Sequence, residues 1–75
     1  EHDCKLGDFV HVSPNASLAG GVIVGEGTHI GIGASVLPEI NIGKWTIIGA
    51  GAVVIKDVPD GAVIVGNPGR VINEQ

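Results

Sequence analysis

Histidines are the side chains in this sequence best suited to proton transfer, because an imidazole gains and loses a proton near neutral pH. His2 lies between two acidic residues, in the run Glu1-His2-Asp3. A neighbouring carboxylate raises the basicity of an imidazole and can fix its tautomer, which suits work as a general base. The same run could instead be a solvated chain terminus. The sequence therefore offers either a histidine–carboxylate base or an exposed end at this point.

Two further histidines, His11 and His29, lie 18 residues apart. Three interpretations are open for them: a contact between subunits, a ligand site between subunits to which His11 contributes, and a zinc site. A catalytic zinc ion needs three converging protein ligands and one open position. The histidine spacing in this sequence does not match such a set, so zinc is the weakest of the three interpretations.

The elements that must position these histidines follow from a six-residue repeat. A period of six fits neither an α-helix nor an ordinary strand. It is typical of a solenoid in which short strands and turns stack around a continuous core. The pattern resembles the hexapeptide repeat of left-handed parallel β-helices, in which the first and fifth positions point inward. The aliphatic residues that recur at every sixth position are Leu6, Val12, Leu18, Val24, Ile30, Val36, Ile42, Ile48 and Val54.

That resemblance implies that three hexads complete one triangular coil, so residues 18 apart should stack. We therefore predict an all-β fold, a left-handed parallel β-helix of about three coils over residues 1–59. His11 and His29 should then lie about 4.8 Å apart on neighbouring strands. The fourth hexad position should form turns, where glycine accepts a positive φ, at Gly21, Gly27, Gly33 and Gly51. The ladders at the fifth position are Ala16–Ala34–Ala52, Val10–Thr28–Thr46 and Cys4–Val22–Ile40–Val58.

After Val58 the repeat breaks. Ala62–Val65 is predicted to form one more strand, followed by a turn at Gly66-Asn67-Pro68-Gly69 and a polar end. We expect residues 60–75 to be a capping strand and tail that cover the last coil.

The bulk composition excludes several classes of protein. The chain has 75 residues and a formal net charge of -4, with 4 Lys and Arg that do not cluster, which argues against a nucleic-acid or an anionic membrane surface. Its apolar stretches are too short to span a bilayer, and no signal peptide is visible. A single cysteine, Cys4, cannot build a disulfide framework and favours a reducing, cytoplasmic location.

Two stretches resemble a known family. Glu1-His2-Asp3-Cys4 and the following run LGDFVHVS (residues 6–13) are similar to the catalytic stretch of bacterial sugar acetyltransferases of the sialic acid O-acetyltransferase and UDP-amino-sugar N-acetyltransferase type. The ending around Val65-Gly66-Asn67-Pro68-Gly69-Arg70 is similar to that of the same family, so the likeness covers essentially the whole chain. It implies acetyl-CoA as cosubstrate, an amino or hydroxyl group of a sugar or nucleotide sugar as acceptor, and a homotrimer with its sites between subunits.

The resemblance also implies roles for individual residues. His2 matches the general base that takes a proton from the acceptor, and Asp3 matches the acidic residue that raises the basicity of this histidine. His11 matches a histidine that contacts acetyl-CoA. Ile32 matches a contact to the arm of the cofactor, and Ala50 matches a position whose backbone meets the cofactor. His29 matches no assigned role, and no metal site is expected.

Physical chemistry is consistent with these roles. Direct attack on a thioester needs a base, alignment and a donor for the developing oxyanion, without a serine or cysteine nucleophile. Cys4 falls at an inward position and is interpreted as a core residue. Glycine-rich turns let a thin amide chain such as pantetheine approach the backbone closely. The glycines expected to line such a groove are Gly31, Gly33, Gly49 and Gly51.

Other observations favour association and a shortened chain. A core of this size leaves a single subunit marginally stable, and Ile23, Ile32, Ile47 and Val53 should point outward, which supports the trimer. The family carries an N-terminal α/β domain that holds the nucleotide sugar, and this domain is absent from the sequence, so we expect a fragment. The alternative is a truncated or engineered β-helix module that trimerises without activity.

Overall fold

The computed structural model describes residues 3–74, and the part of the chain that it describes contains strands and turns without a helix. Nine strands of two residues each are followed by two longer ones. Their bounds are β1 Lys5–Leu6, β2 His11–Val12, β3 Ser17–Leu18, β4 Ile23–Val24, β5 His29–Ile30, β6 Ser35–Val36, β7 Asn41–Ile42, β8 Ile47–Ile48, β9 Val53–Val54, β10 Ala62–Val65 and β11 Arg70–Glu74.

From β4 to β9, each strand pairs with the strand three positions earlier in the chain, so the chain winds into a three-sided tube. Sheet 1 contains β1, β4 and β7; sheet 2 contains β2, β5 and β8, extended by β10 and β11; sheet 3 contains β3, β6 and β9. Among β1–β9 the pairing within each side is parallel and joins residues 18 apart, as in Val12 with Ile30 and Leu18 with Val36. The predicted all-β parallel solenoid with an 18-residue coil is therefore confirmed.

Three columns of turns connect the sheets, and we name each column by the sheets that it joins. Corner 1–2 contains residues 8–9, 26–27 and 44–45; corner 2–3 contains residues 14–15, 32–33 and 50–51; corner 3–1 contains residues 20–21 and 38–39, with Asp3 in line below them. The second residue of each of these turns has a positive φ. The predicted positive φ is confirmed at Gly21, Gly27, Gly33 and Gly51.

The inside of the tube is filled by the sixth-residue aliphatics. Ile30 and Ile48 are fully buried, and every member of this series from Leu18 to Val54 belongs to the core. The first member departs from the prediction, because Leu6 is 51% exposed. It lies in the first coil, where the following coil covers one side and no described residue covers the other. Inward position is thus not sufficient for burial at the end of a tube.

Two threonines form a polar ladder inside the tube, at the entry to sheet 2. Thr28 and Thr46 are fully buried. Both hydroxyls donate to the carbonyl of Gly43, at 2.7 and 2.8 Å, and the hydroxyl oxygen of Thr28 accepts the backbone N–H of Thr46 at 3.1 Å. These bonds allow two polar side chains in an apolar core, because each buried hydroxyl has a partner.

The last two strands extend one side of the tube. β10 pairs in parallel with β8, and β11 pairs antiparallel with β10. The predicted strand at Ala62–Val65 is present, whereas the polar end expected after residue 69 is a strand up to Glu74. The reason is that β10 offers an open edge whose backbone groups need partners. None of residues 3–74 forms a helix that could span a lipid bilayer.

Candidate functional site

His11 and His29 stack on the outer face of sheet 2. They are directly paired in the parallel register of β2 and β5, and both side chains are exposed. Their ring centroids are 4.8 Å apart and the ring planes make an angle of 18°. The stack predicted from their spacing is therefore present, at the separation of two neighbouring strands.

Ser13 joins this pair through its side chain. The distance between its Oγ and Nε2 of His29 is 3.4 Å, and the tautomer of the imidazole decides which atom donates. Ser13 is itself buried, and its backbone N–H donates to the carbonyl of Ile30 at 2.9 Å. Ser13 was not predicted from the sequence as a site residue. Its position two residues after His11, on the same side of an extended strand, is the signal that points to it.

Ile32 and Ala50, the two other residues matched to cofactor contacts, lie in corner 2–3 at the end of the sheet that carries His11. Both are exposed, and the carbonyl of Ile32 accepts the N–H of Gly51 at 2.8 Å. The glycines that follow them, Gly33 and Gly51, have φ of 69° and 70°. A methyl group added to either glycine would meet nothing within 4 Å. Corner 2–3 is therefore open along two successive coils.

Gly31 and Gly49 do not line this opening, which corrects the four-glycine groove expected from the sequence. A Cβ on Gly31 would lie 2.7 Å from the carbonyl oxygen of Ile48, and one on Gly49 would lie 3.1 Å from the carbonyl oxygen of Ile64. These two glycines face the next coil. They allow the close approach of stacked backbones, whereas Gly33 and Gly51 face open space.

Asp3 lies on the other side of the tube. It occupies corner 3–1 with φ 64° and an exposed side chain. Sheet 2 runs between corners 1–2 and 2–3, so the third corner is across the tube from the face that carries His11. One chain therefore does not bring Asp3 and His11 together. His2, the expected general base, lies outside the described residues.

Cys4 is not arranged as a nucleophile. It is partly buried and packs against the core, and its Sγ donates to the carbonyl of Ala19 at 3.2 Å. Among the side chains that the structure describes, no three His, Cys, Asp or Glu groups converge as a metal site requires.

Two aromatic residues in corner 1–2 have an unusual backbone. Phe9 and Trp45 have φ of 62° and 55°, a region that bulky residues rarely adopt, and both side chains are exposed. Their place at the fourth hexad position explains this conformation, because every coil turns there. A positive φ is predicted from residue type only for the glycines, whereas position within the hexad predicts it for Phe9 and Trp45 as well.

The repeat belongs to a described family. Residues 21–56 match the family model described as bacterial transferase hexapeptide (six repeats). Residues 21–56 carry the bacterial transferase hexapeptide repeat. Its three-sided solenoid is accordingly the left-handed parallel β-helix expected from the sequence. No curated protein matches the hexapeptide-repeat chain significantly.

Solved structures of acetyltransferases superpose on nearly the whole hexapeptide-repeat chain. PerB from Caulobacter crescentus, in complex with CoA and GDP-perosamine, is 47% identical with a TM-score of 0.94, over 96% of this chain and 35% of that one. The acetyltransferase domain of PglB from Neisseria gonorrhoeae, in complex with acetyl coenzyme A, is 44% identical with a TM-score of 0.93, over 95% and 35%. A maltose O-acetyltransferase from Clostridium difficile is 33% identical with a TM-score of 0.89, over 97% and 53%.

These values confirm the resemblance to sugar acetyltransferases. They also limit it, because the chain spans about a third of the length of the PerB and PglB chains.

Proposed function

We propose that this chain is the acetyl-CoA-binding β-helix domain of an acetyltransferase that acts on an amino or hydroxyl group of a sugar or nucleotide sugar. The observation that carries the proposal is the 44% identity, over 95% of the chain, to an acetyltransferase domain solved with acetyl coenzyme A. The single cysteine agrees with the cytoplasm as the proposed location.

Corner 2–3 is the proposed place for the pantetheine arm. The arm is a thin amide chain, and Gly33 and Gly51, where an added methyl group would meet nothing within 4 Å, leave room for such a chain to approach the backbone. Ile32 would give it an exposed apolar contact, and Ala50 would meet it with its backbone. His11 lies on the sheet that leads into this corner, where we propose that it contacts the acyl end.

His2 and Asp3 are the proposed catalytic pair. Acetyl-CoA supplies the acetyl group as a thioester. His2 would accept the proton of the attacking amine or hydroxyl as the new C–N or C–O bond forms and the C–S bond breaks. Asp3 would stabilise the charged imidazole. The same proton can then pass to the leaving sulfur, so the charges balance.

A second copy of the chain is part of this proposal. Asp3 and His11 lie on opposite sides of one tube, so a site that uses both must join corner 3–1 of one subunit to sheet 2 of another. A homotrimer built by a three-fold axis repeats this contact three times and leaves no subunit unpaired.

Acetyl-CoA binding by calorimetry tests the proposal, with Gly33→Asn as the blocking variant. Asparagine tolerates a positive φ and would project into the proposed groove. Trp45→Asn is the control, because it puts the same side chain at the same turn position in corner 1–2. We expect Gly33→Asn to weaken binding about tenfold or more, which corresponds to about 1.4 kcal/mol, and Trp45→Asn to bind like the unmodified protein.

Two results would contradict the proposal. Equal affinities for the two variants would exclude corner 2–3 as the groove. An absence of heat at millimolar acetyl-CoA with the unmodified protein would favour the alternative, a β-helix module that assembles without activity.

A further inference from the structure

His29 is the middle side chain of a column on the outer face of sheet 2, between His11 on one neighbouring strand and Ile47 on the other. All three side chains are exposed. The likeness to acetyltransferases gives His29 no role, and the fold does not require a histidine at this outward position. Its contacts, in contrast, are specific.

Two side chains, those of His11 in β2 and of Ser13 just after it, contact the ring of His29. The ring of His11 covers one face, with 4.8 Å between centroids and 18° between planes. The hydroxyl of Ser13 lies 3.4 Å from Nε2 at the ring edge. The ring separation equals the ordinary spacing of neighbouring strands, so both side chains reach this arrangement without displacing the backbone.

The same stacking contact also restricts the side chain of His11. An exposed histidine on a two-residue strand would exchange among staggered rotamers. A parallel ring against one face favours the rotamer in which the two rings overlap. His29 in turn has Nε2 within 3.4 Å of the Ser13 hydroxyl, and Ser13 is buried in the coil. An ordered path therefore leads from the packed interior to the exposed ring of His11.

We propose that His29 is a positioning residue that holds the imidazole of His11 in one orientation before ligand binds. The consequence for ligand affinity rests on the proposed function, in which His11 contacts acetyl-CoA. His29 acts through His11 in this proposal and touches no substrate. Ordering the ring in advance removes an entropic cost that the ligand would otherwise bear on binding.

The first test is made on the protein without ligand, by NMR of the histidine rings. We expect nuclear Overhauser contacts between the His11 and His29 rings, and Hα–Hβ coupling constants of His11 that correspond to one χ1 rotamer. His29→Phe keeps a flat ring and should preserve these coupling constants, whereas His29→Ala should give values averaged over several rotamers. Ile47→Ala, which removes the other neighbour of His29, is the control and should leave His11 unchanged. Identical His11 coupling constants in the unmodified protein and in His29→Ala would overturn the proposal.

The second test is a double-mutant cycle on acetyl-CoA affinity. His29→Ala should raise Kd about two- to tenfold, the range expected for ordering one side chain. His29→Phe should restore the affinity to within about twofold. In a His11→Ala background, His29→Ala should have no further effect.

The outcomes separate the two proposals. If His29→Ala weakens binding equally with and without His11, His29 contacts the ligand itself and the positioning role is wrong. If the unmodified protein binds no acetyl-CoA, the proposed function fails, and the NMR comparison alone decides whether His29 positions His11.

Discussion

At the scale of single residues, glycines at the same position of the hexad have different structural roles. Gly27 and Gly33 both occupy the fourth hexad position, with φ of 73° and 69°. A Cβ on Gly27 would overlap the indole of Trp45, whereas one on Gly33 would meet only open space. One glycine therefore accommodates an aromatic side chain from the next coil, and the other leaves a surface free for a ligand.

This difference predicts unequal costs for the same substitution. Gly33→Ala should lower the free energy of unfolding by about 1–2 kcal/mol, the cost of a left-handed backbone for a residue with a Cβ. Gly27→Ala should cost more, because the indole must also move away. Urea unfolding at one fixed protein concentration measures both. The excess should vanish when Trp45→Ala is combined with each variant; an excess that persists would mean that the indole is not its cause.

At the scale of elements, the coils are joined by ladders of equivalent residues. The threonine ladder is asymmetric, since Thr28 both donates to the Gly43 carbonyl and accepts the N–H of Thr46. Thr46 donates to the same carbonyl, and the two hydroxyl oxygens lie 2.9 Å apart. The ladder is therefore not a repeat of identical bonds, although the two residues are alike in sequence.

Valine substitutions should reveal that asymmetry. Thr46→Val removes one hydroxyl while the Gly43 carbonyl keeps its bond from Thr28, so we expect a loss of about 0.5–1.5 kcal/mol in the free energy of unfolding. Thr28→Val also deprives the buried N–H of Thr46 of the acceptor described for it, which should raise the loss to about 1–3 kcal/mol. Chemical denaturation of both variants checks the order. Equal losses would contradict the assigned bonds.

Much of this architecture could be predicted because one period of six repeats without a slip. The 18-residue ladders, the buried Ile30 and Ile48 and the glycine turns all follow from it. Phe9 and Trp45 were not predicted to have a positive φ, because residue type was given more weight than position. The distinction between Gly31 and Gly33 needs the neighbouring coil, which a linear pattern does not contain. β11 was missed because its partner edge exists only after β10 has formed.

The candidate site was less predictable than the fold. The stack of His11 and His29 follows from spacing, but the contact between Ser13 and His29 depends on where two side chains meet in space. The roles of His2, Asp3, His11, Ile32 and Ala50 came from family resemblance and stay predictions.

At the scale of the whole molecule, the tube separates the two halves of the proposed site. Corner 3–1 carries Asp3, and the opposite face carries His11. Several aliphatic side chains are exposed on the outside, among them the predicted Ile23, Ile32 and Ile47, while Val53 is partly buried. Association would cover this surface and join the two halves.

A homotrimer should therefore be the state in solution. Light scattering at micromolar concentration measures it directly, and a monomer would contradict both the assembly and a site shared between copies.

A mixing experiment tests the shared site itself. His2→Ala and His11→Ala chains should each be inactive in the full acetyltransferase, measured as release of free CoA thiol. Trimers assembled from both chains contain one junction in which intact His2 meets intact His11. Random mixing should then restore up to about a quarter of the unmodified activity. A mixture as inactive as its components would mean that both histidines act within one chain.

The 18-residue register also constrains how such a chain can change in length. Removing or adding 18 residues would shift everything beyond that point by one strand spacing, about 4.8 Å along the axis, and leave each side chain on its original face. Removing only six would rotate all later residues to the adjacent face, so that Ala50 would leave corner 2–3 while Ile32 stayed. Insertions and deletions therefore keep every side chain on its face only in steps of 18 residues, one complete coil. The distance between a histidine and the carboxyl-terminal hairpin can change only in the same steps.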